Sequence, residues 1–299
     1  MKDSKYYTLA GVSLVVIIFF CTYGYKELFS VPENFPVDKN FIVGENESLR
    51  SISKRLEVDG YITSPLLFRL GISFFGKDRA IQLGGYTFST AVPLTRVIDT
   101  FVEGQPSSPL LMVTIPEGST SFEIASLVMK VLPSITRDVF SKTIKDYNAD
   151  GRLFPSTYFL VPSYNAEDIV KLMLNTFSKK SAPLLDSRIP LPLTTEHEVI
   201  VLASILEGEA KTADMKMVSG ILLARLTQDM PLQVDVALET YKRRGLPKMP
   251  INNPGLAAID AVLHPTKSNY LYYITGNDGV MYYAKTFEEH KRNIRNHLK

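Results

Sequence analysis

The chain has 299 residues, which is enough for a sizeable core and for more than one domain. Its 33 lysines and arginines nearly balance its 31 aspartates and glutamates, so no basic field argues for a nucleic-acid partner. The single cysteine, Cys21, cannot form an internal disulfide, and no group of cysteines and histidines has the spacing of a zinc site.

An uncharged apolar stretch near the N-terminus predicts a membrane anchor. Residues 7–23 read YTLAGVSLVVIIFFCTY and, as a helix, would extend roughly 26 Å, near the short end for crossing a bilayer. A cleaved signal peptide is the alternative, because Lys2 and Lys5 could also begin one, but no small-residue cleavage pattern follows. We expect an uncleaved single-pass anchor within residues 1–29, with a cytoplasmic N-terminus. The bulk of the chain would then lie outside the cytoplasm, at the cell (inner) membrane.

Two α/β regions follow a polar, proline-bearing linker at residues 30–39. Residues 40–108 predict a small module of strand, helix, helix, strand and helix. Its predicted elements are a strand at Phe41–Val43, helices at Leu49–Leu56 (capped by Ser48) and Ser64–Phe74, a strand after Leu83 and a helix at Pro93–Phe101. From composition alone, this is an accessory α/β module.

Residues 109–299 predict a larger, mixed region of helices and short strands. The first expected elements are a strand from Leu111 to Pro116, a helix to Leu132 capped by Ser119 or Ser121, a structured loop at Asp150–Leu160 and a helix at Ala166–Phe177. After a connection at Ser181–Pro192, a capping box at Thr195–Glu198 begins the next helix, and another helix follows at Met217–Leu226. The last elements are a strand edge carrying Gln233 and Asp235 and a hairpin of Leu271–Ile274 with Val280–Ala284.

The stretch VLASILEGEAK, residues 201–211, places Glu207 and Glu209 two positions apart near the end of a helix. Each helical residue turns by about 100°, so the two carboxylates point about 200° apart and cannot face one site. Glu209 follows an apolar face that includes Leu202 and Leu206, where desolvation would raise its pKa toward that of a general acid. Glu207 would then be a hydrogen-bonding or structural partner. From the residues alone, the alternative is that both glutamates end the helix on a solvated face.

Polar side chains further along the chain suit a groove for a polymeric, hydroxyl-rich substrate. Gln233 and Asp235 alternate with apolar residues, so they are either sugar contacts or an ordinary strand edge. Tyr241 is either a residue that stacks on a sugar or part of the core. The tyrosines of residues 270–283 are expected to pack within the hairpin, with one or two reaching the groove.

Ordered matches along the chain resemble the YceG-like (MltG) family of endolytic murein transglycosylases. They are Gly84-Gly-Tyr86, IPEG at 115–118, GRLFPSTY at 151–158, LASILEGE at 202–209, ARL at 224–226, MPLQVD at 230–235, GLP at 245–247, NNPG at 252–255, AVLHPTKSNYLYY from Ala261, and EEHKRN near the C-terminus. Each match is weak alone, but so many in order are jointly specific.

The resemblance implies an α+β protein with an N-terminal transmembrane helix, a LysM-like module at 40–108 and a mixed α/β YceG-like catalytic domain at 109–299. It implies endolytic, non-hydrolytic cleavage of the MurNAc–GlcNAc β-1,4 bond in nascent glycan strands, leaving 1,6-anhydro-MurNAc ends, without cofactor or metal. It further implies that Glu209 is the catalytic acid/base, in agreement with the helical-face argument. Glu207, Gln233, Asp235 and Tyr241 are the expected substrate-binding residues. The expected partners are peptidoglycan glycan strands and the membrane, with cell-wall synthases as further candidates.

The sequence also departs from the family pattern at positions that border the predicted groove. The usual long insertion after Asp235 is missing, Ala224 and Glu239 stand where asparagines are usual, and Met281 stands where a histidine is typical. Alternatives therefore stay open: a catalytically weak or inactive peptidoglycan-binding protein, or a scaffold of the cell-wall synthesis machinery. A hydrolytic glycosidase, which would leave reducing ends, is a further chemical alternative.

Overall fold

The computed structural model describes residues 22, 24–44, 47–75, 81–104, 106–107 and 109–298. The chain divides between Leu111 and Met112 into two compact units. The predicted membrane anchor, residues 7–23, lies outside the described residues except for Thr22. Within the ranges given above, no helix has both the length and the apolar character needed to cross a membrane.

Between Asn40 and Glu103, the described part of the first unit contains two strands and three helices in the predicted order. They are β1 (Asn40–Val43), α1 (Leu49–Val58), α2 (Pro65–Phe75), β2 (Gly84–Thr87) and α3 (Leu94–Glu103). β1 and β2 pair antiparallel, with Phe41 opposite Tyr86. The Tyr86 ring stacks on Phe101 with centroids 4.1 Å apart, in a core of buried aromatic and aliphatic side chains. Ser48 caps α1 as predicted, because its Oγ accepts the backbone N–H of Ser51.

The second unit is mostly helical, with two separate pairs of short strands. Its elements are β3 (Leu111–Thr114, which starts at the boundary), α4 (Ser121–Val131), α5 (Arg137–Asp146), β4 (Thr157–Leu160), α6 (Ala166–Leu185), α7 (Glu196–Glu209), α8 (Met215–Thr227), a 3-10 helix (Leu238–Tyr241), α9 (Leu256–Leu263), β5 (Tyr272–Thr275), β6 (Met281–Ala284) and α10 (Phe287–His297). β3 pairs with β4, and β5 pairs antiparallel with β6.

Helix α7 forms the centre of the second unit. Every residue from Val199 to Leu206 is buried, and α7 packs against α8 and α9. Burial on all sides explains why this part of the sequence is apolar without the usual polar stripe. Thr195 begins the helix through the predicted capping box with Glu198. The helix therefore carries its last residues, Glu207 to Glu209, from the core to the surface of the unit.

Two predictions before α6 are wrong. Thr120, rather than Ser119 or Ser121, caps α4, because its side chain and that of Glu123 bond each other's backbone N–H reciprocally. The hydroxyls of both serines are occupied elsewhere, on the carbonyl of Pro116 and on Asp150. Thr157–Leu160 is strand β4 rather than the end of a loop, because it pairs with β3 about forty residues away, a long-range contact that local pattern does not reveal.

Two further predictions fail after α6 begins. This helix continues through Pro183 to Leu185, although a proline lacks the N–H of a helical hydrogen bond. The eight extra residues, more than two turns, bury Ser181 and pack Leu184 and Leu185 against the core, so the connection to α7 is shorter than predicted. Residues 233–235 form an irregular loop rather than a strand edge, because Gln233 has a φ of 50°, in the left-handed region.

Candidate active site

Glu209 is the last residue of α7 and is partly buried. The hydroxyl of Tyr273, on β5, donates a hydrogen bond to its Oε1 at 3.1 Å. The pKa of Glu209 is raised, mainly because burial disfavours the charged form and further because the charge of Asp235 lies nearby. The hydroxyl of Tyr273 and the backbone N–H groups of Val236 and Asp235 oppose this rise. Glu209 thus has the raised pKa that suits a general acid.

Tyr273 and Tyr283 lie on the same face of the hairpin because side chains alternate between the two faces of a strand. Tyr273 pairs with Tyr283, and the Tyr283 hydroxyl bonds Asp214 at 2.8 Å, just before α8. The alternate residues Tyr272 and Tyr282 turn toward α10, where they stack on His290 and His297. Alternation alone could have grouped Tyr273 with Tyr283. Which face meets Glu209 depends on tertiary packing.

A second carboxylate, Asp235, lies in the loop beside Glu209. The hydroxyl of Tyr241 donates to Asp235 Oδ1 at 2.6 Å, and this bond is the main reason that the pKa of Tyr241 is raised to about 12. The negative charge of Glu209 adds to the same shift. Tyr241 is 47% exposed, which excludes the alternative of a core role. We call Glu209, Asp235, Tyr241 and Tyr273 the Glu209 cluster.

Gly208 allows the loop of the Glu209 cluster to lie against the end of α7. A Cβ at this position would lie 3.1 Å from Cγ1 of Val236 and 3.7 Å from Nδ2 of Asn252. A larger side chain would therefore push away the segment whose backbone N–H groups interact with Glu209. This close approach explains why a glycine separates the two glutamates.

Glu207 has different surroundings from Glu209. Its Oε2 accepts the backbone N–H of Gly255 at 2.9 Å, and its pKa is raised by burial and by the charge of Glu117. Asn253 holds the same loop by bonding Leu153 and Ser119. The prediction that the two carboxylates face different sites is confirmed, and the alternative of a solvated face is wrong because both are partly buried.

Arg225, on α8, connects the two chain segments that surround Glu209, a role that no local pattern in the sequence indicates. It is buried, with Nε donating to the carbonyl of Leu271 at 2.6 Å and Nη1 to the carbonyl of Leu232 at 2.5 Å. Its guanidinium also lies over the Tyr272 ring, 5.1 Å from the centroid. A single arginine thereby fixes the entrance of the hairpin and the start of the Asp235 loop.

The remaining predicted site positions lie outside this cluster. Gln233 is exposed, and within the part of the chain that the structure describes its side chain makes no hydrogen bond. Ala224 lines a separate cavity of about 710 Å³ with Leu191, Gly220 and Pro265. The prediction that it borders the groove at the Glu209 cluster is therefore wrong. Met281 packs against the core of the second unit.

Comparison with known proteins supports one family assignment. A model of the YceG-like family matches residues 41–239 and 237–296. An endolytic murein transglycosylase of Streptococcus pneumoniae is 28% identical over 88% of this chain, which spans only 60% of that relative. One of Bacillus subtilis is 26% identical over 90% of this chain and 88% of its own length. The crystal structure of a YceG-like protein from Listeria monocytogenes, 26% identical, superposes with a TM-score of 0.54 and covers 85% of this chain and 98% of its own. The chain therefore belongs to the YceG-like family.

Proposed function

We propose that this protein is an endolytic peptidoglycan lytic transglycosylase that cleaves the MurNAc–GlcNAc β-1,4 bond and leaves 1,6-anhydro-MurNAc ends. The single observation that carries the proposal is the partly buried Glu209, held by Tyr273 beside a second carboxylate. The names of the Streptococcus and Bacillus relatives support the reaction class. The chain spans about three fifths of the Streptococcus protein, so the proposed activity rests on the chain's own residues.

In the proposed reaction, Glu209 acts twice. As the neutral acid, it donates its proton to the glycosidic oxygen while the bond between that oxygen and C1 of MurNAc breaks. The 6-hydroxyl oxygen of the same MurNAc then bonds to C1, and its proton passes to the Glu209 carboxylate. This restores the acid without consuming water, so one catalytic carboxyl suffices where a hydrolase requires two.

Other residues in and around the Glu209 cluster suit contacts with sugar hydroxyls. The Asp235 carboxylate accepts one hydrogen bond from Tyr241 and keeps further acceptor capacity for substrate. The exposed ring of Tyr241 offers a face for stacking on a sugar, and the exposed amide of Gln233 can both donate and accept. Glu207 holds the loop at Gly255, so its contribution to binding is through the shape of that loop.

Digestion of uncrosslinked glycan strands by the purified protein tests this function. We expect mass spectrometry to detect 1,6-anhydro-MurNAc ends that increase with time. Reducing ends in their place would indicate a hydrolase. If the folded protein retains glycan strands without cleaving them, it is a binding protein. If it neither cleaves nor retains them, a scaffold role is the better description.

The location of the protein and the role of its first unit complete the proposal. Residues 7–23 anchor the chain in the cell membrane, and the two units lie outside the cytoplasm, where peptidoglycan is found. The first unit is a LysM-like module, a reading supported by its two helices between paired antiparallel strands. Cell-wall synthases are the proposed partners.

Fractionation of cells tests the membrane anchor. The chain should be found with the membrane, and deletion of residues 1–29 should release it. Recovery of the undeleted chain in the soluble fraction would contradict the anchor.

A further inference from the structure

We infer that Tyr273 is a positioning residue for Glu209, holding one oxygen of the carboxyl group so that the other oxygen carries the transferred proton. The inference rests on the proposed function of Glu209 as acid/base. Tyr273 itself need not touch the substrate. Its effect passes through the hydrogen bond from its hydroxyl to Oε1 of Glu209.

The bond assigns different tasks to the two oxygens of Glu209. A phenol that donates to Oε1 makes this oxygen the acceptor, so the proton of the neutral acid resides on Oε2. Burial and the negative charge of Glu209 both raise the pKa of Tyr273, which therefore remains a neutral donor while Glu209 titrates. The oxygen that faces the glycosidic bond is thereby the same in each catalytic cycle.

Tyr273 is itself fixed on both sides of the hairpin. It lies opposite Tyr283, whose hydroxyl bonds Asp214, and Arg225 holds the carbonyl of Leu271 just before β5. The ring also packs against the core of the second unit. A side chain held this firmly loses little further freedom when it orders Glu209, which is what positioning requires.

The same bond affects how readily Glu209 releases its proton. A donor to the carboxylate stabilises the charged form, so it lowers the pKa of Glu209 against the larger effect of burial. Loss of the Tyr273 hydroxyl should raise this pKa further and make Glu209 a weaker acid. A tyrosine that served only to fill the core would leave the pKa unchanged when replaced by phenylalanine.

The test compares Tyr273→Phe with Tyr282→Phe in the full-length protein. Both variants remove one phenolic hydroxyl from the same hairpin, but the Tyr282 hydroxyl bonds Asp278 rather than Glu209. NMR of the protein labelled with ¹³C at glutamate carboxyl groups follows Glu209 through a pH titration without substrate, and the signal lost in Glu209→Gln assigns it. We expect Tyr273→Phe to raise the pKa of Glu209 by about one unit and Tyr282→Phe to leave it unchanged.

Kinetics on glycan strands supply the second readout. In Tyr273→Phe we expect kcat to fall by roughly tenfold or more with little change in KM, and the alkaline limb of the rate profile to move to higher pH. A Glu209 titration identical to that of the wild type would overturn the inference. If the wild type cleaves no glycan, the proposed function fails, while the titration still decides whether Tyr273 governs Glu209.

A variant that keeps the side chain's size covers a failure of Tyr273→Phe to fold. The site-specific replacement of Tyr273 by 3-fluorotyrosine keeps the hydroxyl and makes it a stronger donor. The pKa of Glu209 should then fall below its wild-type value. An unchanged value in this variant would also overturn the inference.

Discussion

Glu209→Gln is expected to eliminate the release of anhydro ends, with a loss of at least about 10²- to 10⁴-fold in turnover. Glutamine keeps the size of the side chain and an oxygen that can accept the Tyr273 hydroxyl, but its amide N–H groups are far too weakly acidic to protonate the glycosidic oxygen. The loss should therefore appear in kcat, while retention of glycan strands persists. Mass spectrometry of strands digested by equal amounts of each protein measures it.

Glu207→Gln is the matched control, two positions away on the same helix. Its amide oxygen can still accept the N–H of Gly255, so we expect substantial turnover. If Glu207→Gln eliminates cleavage while Glu209→Gln retains it, the assignment of the acid is reversed. Loss in neither variant would mean that the reaction uses another group.

Thermal unfolding separates a chemical effect of Glu209→Gln from a structural one. Burial raises the pKa of Glu209 in the folded state, so its contribution to stability is complete below the unfolded pKa and is lost as pH rises through the folded pKa. A neutral glutamine does not incur this loss. The melting temperature of Glu209→Gln should thus equal or exceed that of the wild type near neutral pH, and the difference should shrink in acid.

The sequence was informative about this site wherever local geometry decides the outcome. The angle between residues two apart on a helix was sufficient to separate Glu207 from Glu209. The alternation of burial at residues 232–235 was also correct, since Leu232 and Val234 are buried while Gln233 and Asp235 are exposed. The prediction of a strand there was wrong, because the left-handed backbone conformation at Gln233 interrupts the extended chain. The alternation of buried and exposed side chains is nevertheless kept.

The sequence was uninformative where distant segments meet. Tyr273 lies 64 positions from Glu209, and Arg225 bonds carbonyls at Leu232 and Leu271, so neither role has a local pattern. Strand β4 was missed for the same reason, since its partner β3 is far away in the chain. Such contacts depend on how α7, α8 and the hairpin pack together, and a buried arginine can reach any carbonyl that this packing brings near.

Arg225→Met is expected to lower the free energy of unfolding by about 3 kcal/mol and to weaken turnover as well. Methionine fills a similar volume but leaves the carbonyls of Leu232 and Leu271 without the donors they now have, at about 1–3 kcal/mol for each buried group. The hairpin that carries Tyr273 and the loop that carries Asp235 would both lose an attachment to α8. Urea unfolding and glycan digestion of the same preparation measure the two effects.

Arg243→Met is the control for the loss of a guanidinium. Arg243 is exposed and follows the 3-10 helix, so its replacement should change the unfolding free energy by about 0.5 kcal/mol or less. Arg225→Lys keeps the charge but replaces the planar fork of guanidinium donors with a single ammonium group, so its stability should fall between those of the wild type and Arg225→Met. If Arg225→Met were as stable and active as Arg243→Met, the two backbone bonds would not be what holds the hairpin and the loop around Glu209.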